Sequence, residues 1–270
     1  MTATATENGT ILRDLGEHGK VEFIDGDGRQ RAYWLFAGGK RSRLVSVTTV
    51  LGCLEKRALY SWYEARGAEG ALRAIEQGEL DPKSPPEDAV EVVRLLGLGA
   101  DAAKKKAADR GLDVHGALEL WAETGELPAA GDLAIDARPY LQGLASWLVQ
   151  ANPEPVAVEQ IVAHPELKYG GRYDLLAHID GVLTLVDLKT SKNGTPYSEA
   201  HTQLRAYWEA ENAVGVEGIE QAVAVGVSPD GRFAAEKCCA PVDAFERVLS
   251  VYRLRAQVDR EIRAMRKVAE

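Results

Sequence analysis

The segment Gly171–Thr190 constrains the fold of this chain most. Gly171–Ile179 and Val182–Thr190 read as strands, and Asp180–Gly181 lies between them. An Asp-Gly pair in that setting is a strong hairpin signal, because a two-residue turn of the favoured type needs positive φ at both positions. A two-residue loop pairs Ile179 with Val182. Stepping back along both strands then puts Asp174 directly across from Asp187, on one face, with Cβ atoms ~4.5–5.5 Å apart. Lys189 lies two residues beyond Asp187, on the same face and ~7 Å along. Like charges placed opposite each other destabilise a sheet, and these two sit beside the apolar Val182, Leu183, Leu185 and Val186. A divalent cation between them reverses that argument. Hard oxygen ligands suit Mg²⁺ or Mn²⁺. Such an ion would polarise a phosphate and activate water, while the lysine orients that water.

Composition sets outer limits. The 270 residues are 46% hydrophobic and 27% charged, with a net charge of −9. This excludes a wholly disordered chain. The acidic balance argues against a generic nucleic-acid coat, but not against a nucleic-acid enzyme, since net charge is silent on its distribution. The N-terminal MTATATENGT has neither the basic nor the apolar part of a signal peptide. No apolar run approaches the ~18–20 residues of a membrane helix. The expectation is a cytoplasmic protein with no membrane association. Cys53, Cys238 and Cys239 are too few for a four-cysteine iron–sulfur cluster. They read as buried, reduced thiols, the adjacent pair pointing to opposite faces if it lies on a strand.

Along the chain, residues 1–18 read as a polar, disordered tail. Lys20–Ile24 and Gln30–Phe36 read as strands around the Asp25–Gly28 turn, with a third strand around Leu44–Val47. Thr48 or Thr49 is placed to cap a following helix. Helical periodicity then runs from Glu55 to Asn152, broken by the proline loop Asp81–Asp88, with helices at 86–110, 111–124 and 133–151. From 153 the order is β-β-β-α-β-β-α: Val156–Ala163, the hairpin, a helix over 198–212, strands at Gln221–Val227 and Arg232–Cys238, and a long helix after Pro241. The expected fold class is α/β (α+β), a central mixed sheet flanked by helices. Residues 19–270 would form one domain, with a β-rich segment at 19–54, a helical elaboration at 55–152 and a core at 153–270.

With these elements in place, the chain resembles the PD-(D/E)XK nuclease superfamily, and within it the RecB-like exonuclease branch of phage and CRISPR-associated type. The resemblance rests on Gly171-Arg172-Tyr173-Asp174, Val186-Asp187-Leu188-Lys189, Gln203 to Tyr207 (QLRAY), and Gly111 to His115 (GLDVH) upstream. Ser46–Leu51 and Leu59–Trp62 also look like the N-terminal part of phage members. It implies a restriction-endonuclease-like core and a metal-dependent DNA exonuclease of recombination or repair. Asp174, Asp187, His115 and the Leu188 carbonyl would hold Mg²⁺ or Mn²⁺. Lys189 would position the attacking water. Gln203 and Tyr207, one turn apart on a helix, would steady that lysine and the phosphate. Glu159 takes the place of an acidic residue on the first core strand. Lys104, Lys105, Lys106 and Arg172 would hold the DNA backbone, and the helical elaboration would restrict which end enters. His201 has no marking pattern and reads as solvated. The substrate would be linear DNA, and a recombination partner protein or a second copy could join it. A structure-selective endonuclease and a non-catalytic nucleic-acid-binding protein of the same fold remain as rival readings.

Overall fold

Both residues of the Asp180–Gly181 turn take positive φ, 53° and 76°. The ladder beyond it keeps the expected register without a slip, from Ile179 opposite Val182 to Leu175 opposite Val186. In the computed structural model, which describes residues 4–5, 10–24 and 31–268, this hairpin is the centre of a ten-stranded mixed sheet. The strands are β1 (Thr4–Ala5), β2 (Thr10–Asp14), β3 (Lys20–Ile24), β4 (Ala32–Ala37), β5 (Lys40–Ser46), β6 (Glu154–His164), β7 (Tyr169–Ile179), β8 (Val182–Thr190), β9 (Gln221–Val227) and β10 (Phe233–Lys237). The helices are α1 (Val47–Leu51), α2 (Arg57–Glu76), α3 (Pro86–Leu95), α4 (Ala100–Thr124), α5 (Tyr140–Ala151), α6 (Ser198–Ala213) and α7 (Ala244–Val268).

The first five strands form an antiparallel meander. Its last strand joins the start of β7 in parallel, Val45 opposite Tyr169. The Asp25–Gly28 turn expected within this meander lies outside the described residues. β6 runs antiparallel along the other side of β7. The chain leaves β8, passes through α6 and returns as β9, parallel to β8, the crossover that parallel neighbours require. β10 closes the order as an antiparallel edge.

Each face of the central strands is buried under helices. Leu176 and Leu185 pack with Leu204 and Tyr207 of α6 and Phe245 and Leu249 of α7. The alternate residues, Leu175, Val186 and Leu188, pack with Val114 and Leu118 of α4 and Leu144 and Trp147 of α5. Leu15, Val21, Phe23, Leu35 and Leu44 of the meander bury a third cluster with Ile161 and Ala163 of β6.

Four local expectations are corrected. The polar N-terminus is not a disordered tail from Thr10 onward. It pairs as β2, and its Arg13 is buried against Ile161 and Glu211, partners too distant in sequence to leave a local signature. The helix after β5 is capped by Ser46, whose hydroxyl accepts the Thr49 N–H at 3.0 Å, rather than by Thr48 or Thr49. The helical break falls at 96–99 rather than at 110–111. Gly97 takes a φ of 64° there, whereas Gly111 stays inside α4. The helix expected from residue 133 begins only at Tyr140.

The helical elaboration also divides. Glu55–Asp113 is one compact unit, and residues 1–54 with 114–270 form the other, so His115 belongs to the sheet unit. Within the smaller unit Pro86 opens α3 at a position that needs no N–H, and Gly70 lies so close to Leu98 and Val93 that a Cβ would be 2.8 Å from each. No helix among the described residues is long and apolar enough to cross a membrane.

Candidate active site

Three adjacent strands each bring one carboxylate to the same part of the sheet. On β7, Asp174 is the next position after the last paired rung of the hairpin, and Asp187 is its counterpart on β8. On β6, Glu159 falls between the rungs Val158–Leu175 and Gln160–Tyr173, which places it beside Asp174. Glu159 holds a φ of 48° in mid-strand. A non-glycine residue in the left-handed region costs of order 1–3 kcal/mol and persists only where its surroundings enforce it. Here the turned backbone delivers the Glu159 carboxylate to its neighbours.

His115, from the part of α4 packed on the sheet, sets its Nδ1 2.9 Å from Asp174 Oδ1 and 4.0 Å from Glu159 Oε1. The other Asp174 oxygen accepts the Leu188 N–H at 2.5 Å. Asp187 is 1% exposed. Its Oδ1 accepts a hydrogen bond from Gln203 Nε2 at 3.0 Å, and Gln203 also reaches the Tyr207 hydroxyl at 2.7 Å. Its Oδ2 is in direct contact with Lys189 Nζ. Arg172 Nε lies 2.6 Å from Glu159 Oε2.

The electrostatics follow from burial and crowding. Burial, then the charge of Asp174, pushes the Glu159 carboxyl up to about 7, against the pull of Arg172 and His115. Burial likewise pushes Asp187 up to about 6; Lys189 opposes this and Asp174 adds to it. For Asp174 burial also works upward, but His115, Lys189 and the Leu188 N–H outweigh it and hold the group below its usual value. Burial alone would lower the pKa values of His115 and Lys189, and the facing carboxylates raise both instead. Carboxylates are crowded together here, and they are stabilised chiefly by cations the protein supplies itself, His115, Arg172 and Lys189.

The donor set fits a hard divalent cation. Atoms of His115, Glu159 and Asp174 all lie within 4.8 Å of one another, and the buried Asp187 Oδ2 has unused acceptor capacity. Carboxylate oxygens with one imidazole suit Mg²⁺ or Mn²⁺ better than a soft metal.

The sequence of the chain decides the family. The sequence model of the PD-(D/E)XK nuclease superfamily matches residues 91–268, about two thirds of the protein. The chain belongs to this superfamily. Among solved structures, it is similar to that of SSO0001, with 20% identity over 52% of this chain and 68% of that one and a TM-score of 0.30. It is also similar to an alkaline exonuclease, LHK-Exo, from Laribacter hongkongensis, with 15% identity over 77% of this chain and 98% of that one and a TM-score of 0.32. No curated protein matches it.

As a PD-(D/E)XK protein, the chain shows where each motif residue goes. Asp174, Asp187, Lys189, His115 and Glu159 converge. Gln203 and Tyr207 join them, but through Asp187 rather than the lysine expected. Leu188, expected to offer its carbonyl, holds Asp174 through its N–H. Arg172, expected to hold DNA, is placed on Glu159. Lys104, Lys105 and Lys106 are exposed on the Glu55–Asp113 unit. The glycine of the Gly171–Asp174 motif has its own reason: a Cβ at Gly171 would be 2.3 Å from the Tyr207 ring. Sequence reasoning missed the left-handed backbone at Glu159 and the Arg172–Glu159 pair, because neither the β6–β7 register nor the backbone angles can be read from residue types.

Proposed function

We propose that this PD-(D/E)XK protein is a Mg²⁺- or Mn²⁺-dependent deoxyribonuclease that hydrolyses phosphodiester bonds from the ends of linear DNA. The convergence of Asp174, Asp187 and Lys189 with His115 and Glu159 carries the reading. A buried group of carboxylates with spare acceptor capacity and one lysine has little structural use without a cation, and it is the equipment for hydrolysing a phosphodiester.

The metal, when bound, supplies positive charge that polarises the phosphate and makes water acidic. The residues do the rest. His115, Glu159 and Asp174, with Asp187 beside them, would hold the ion, and the Leu188 N–H fixes the Asp174 carboxylate so that its other oxygen stays directed at the site. Lys189 Nζ, oriented by Asp187, offers N–H groups to the attacking water and to the charge that develops on the phosphate. Gln203 and Tyr207 keep Asp187 in one rotamer. Arg172 neutralises part of Glu159 and holds it in place. The end-directed mode and a role in recombination or repair rest on the RecB-like spacing of the Asp174, Lys189 and Gln203 motifs.

The test uses end-labelled linear DNA and covalently closed circles with Mg²⁺ or Mn²⁺, beside Asp187→Ala. Metal-dependent loss of label from linear DNA, absent in the variant, is expected. No cleavage of either DNA by folded wild-type protein would remove the enzyme reading. Closed circles cut as fast as linear DNA would replace the exonuclease with an endonuclease.

A further inference from the structure

A second cluster of reactive groups lies where α6 meets the residues after β10, and the nuclease chemistry does not use it. His201 is 8% exposed, not solvated as its sequence context implies. Its Nε2 is 3.1 Å from Glu236 Oε2. A carboxylate oxygen accepts, so Nε2 carries the imidazole proton and Nδ1 is left with its lone pair. That lone pair faces Cys239. It accepts the Cys239 backbone N–H at 3.4 Å, and Cys239 Sγ is 3.7 Å away.

The two adjacent cysteines are thereby made different. β10 ends at Lys237, so the pair lies beyond the strand, and Cys239 is exposed rather than buried. Cys238 donates its S–H to the His201 carbonyl at 3.2 Å, and burial pushes its thiol pKa up. Arg205, paired with Glu209, donates from Nε and Nη2 to the Ala240 carbonyl next to Cys239.

A thiol beside the acceptor nitrogen of an imidazole, itself oriented by a carboxylate, is the arrangement that activates sulfur nucleophiles. We propose that Cys239 is a modification site, a nucleophilic thiol that exchanges with low-molecular-weight disulfides, with His201 as its base and Glu236 as the residue that positions the imidazole. The Cys239 proton moves to His201 Nδ1 as Sγ attacks one sulfur of the disulfide. The reagent's S–S bond breaks, a Cys239–S bond forms, and the departing thiolate takes the proton from His201. One disulfide is consumed and one is made. The site stands apart from the nuclease reading and does not depend on it.

The experiment treats the reduced full-length protein with oxidised glutathione and maps the adduct by mass spectrometry. In parallel, iodoacetamide alkylation of each cysteine is timed from pH 5.5 to 9. Cys53 and Cys238 are internal references. Glutathione is expected on Cys239, with alkylation there about tenfold faster at pH 7 than at Cys53. His201→Gln should slow Cys239 about tenfold, and Glu236→Gln should slow it in part. Cys239 reacting no faster than Cys53, or an unchanged rate in folded His201→Gln protein, would overturn the assignment. If His201→Gln does not fold, Glu236→Gln decides: a Cys239 rate unchanged in that folded variant overturns the proposal, and a slowed one upholds it.

Discussion

Two clusters of buried charge lie in the same sheet unit, and they are built to opposite plans. Arg13 and Glu211, 3% and 0% exposed, are matched one to one. Arg13 Nη1 donates to Glu211 Oε1 at 3.0 Å and Nη2 to Oε2 at 2.7 Å, while Nη1 also serves the Ile161 carbonyl at 2.9 Å. Both carboxylate oxygens and one backbone carbonyl are satisfied; Arg13 Nε is left without a partner, but it is a donor and offers nothing to a cation. In the cluster around Asp174 three carboxylates share Lys189, Arg172 and a histidine. Asp187 Oδ2 has Lys189 as its partner and a second lone pair to offer, and two of the three carboxyls are pushed upward in pKa. The first cluster is closed and structural. The second is open and calls for a cation. The crowding of carboxylates on one another, more than burial, separates the two.

The largest effect that would break this contrast is on catalysis. Lys189→Met and Asp187→Asn should each lower metal-dependent DNA hydrolysis by on the order of 10³-fold, while Arg13→Met leaves hydrolysis per folded molecule unchanged. The check is initial rates normalised to the folded fraction. An Arg13 effect as large as that of Lys189 would erase the distinction. Next in size is stability. Arg13→Met leaves the Glu211 charge buried without its partner and should cost about 3–5 kcal/mol in denaturant unfolding. Replacing both residues, Arg13→Met with Glu211→Leu, should recover most of that loss, since a well-packed apolar pair can stand in for a buried ion pair. A third effect sharpens the contrast from the ligand side. Mg²⁺ or Mn²⁺ at about 100 times its Kd should stabilise the wild type by about 2.7 kcal/mol, and folded Asp174→Asn should lose that gain. A wild type whose melting ignores both ions would remove the cation from the open cluster.

The open cluster was far more legible in the sequence than the closed one. Asp174, Asp187 and Lys189 sit on a local hairpin whose turn fixes the register, so their opposition follows from two residues of turn chemistry and the two-residue period of a strand. Gln203 and Tyr207 follow from helical spacing. What they hold did not, because that depends on where α6 crosses the sheet. Glu159 could be nominated only by resemblance, since its delivery rests on a left-handed residue inside a strand that propensity would never place there. Arg13 and Glu211 were invisible. They are joined over 198 positions, and a polar N-terminal stretch gives no local sign that its arginine will be buried. Helix boundaries failed for a related reason. Gly97 and Gly111 are the same residue type, and only the packing around each decides which one ends a helix.

The smallest prediction tests the crowding of the carboxylates itself. In metal-free protein, burial and Asp174 raise the Asp187 carboxyl from its usual value near 3.8 to about 6. An acid whose pKa is raised on folding binds its proton more tightly in the native state. It therefore adds stability at low pH, and that stability is lost as pH rises from about 4 through about 6. Above that range the ionised Asp187 is a net penalty on the apo fold, despite Lys189. Asparagine keeps the shape and an oxygen for Gln203, and it removes the charge. With chelator present, the melting temperature of Asp187→Asn relative to wild type should rise between pH 4 and 6 and then level off, leaving the variant no less stable than wild type at pH 7. If it melts clearly below wild type at pH 7 without metal, the Lys189–Asp187 ion pair outweighs the crowding of carboxylates, and this cluster is closed in the same sense as Arg13–Glu211.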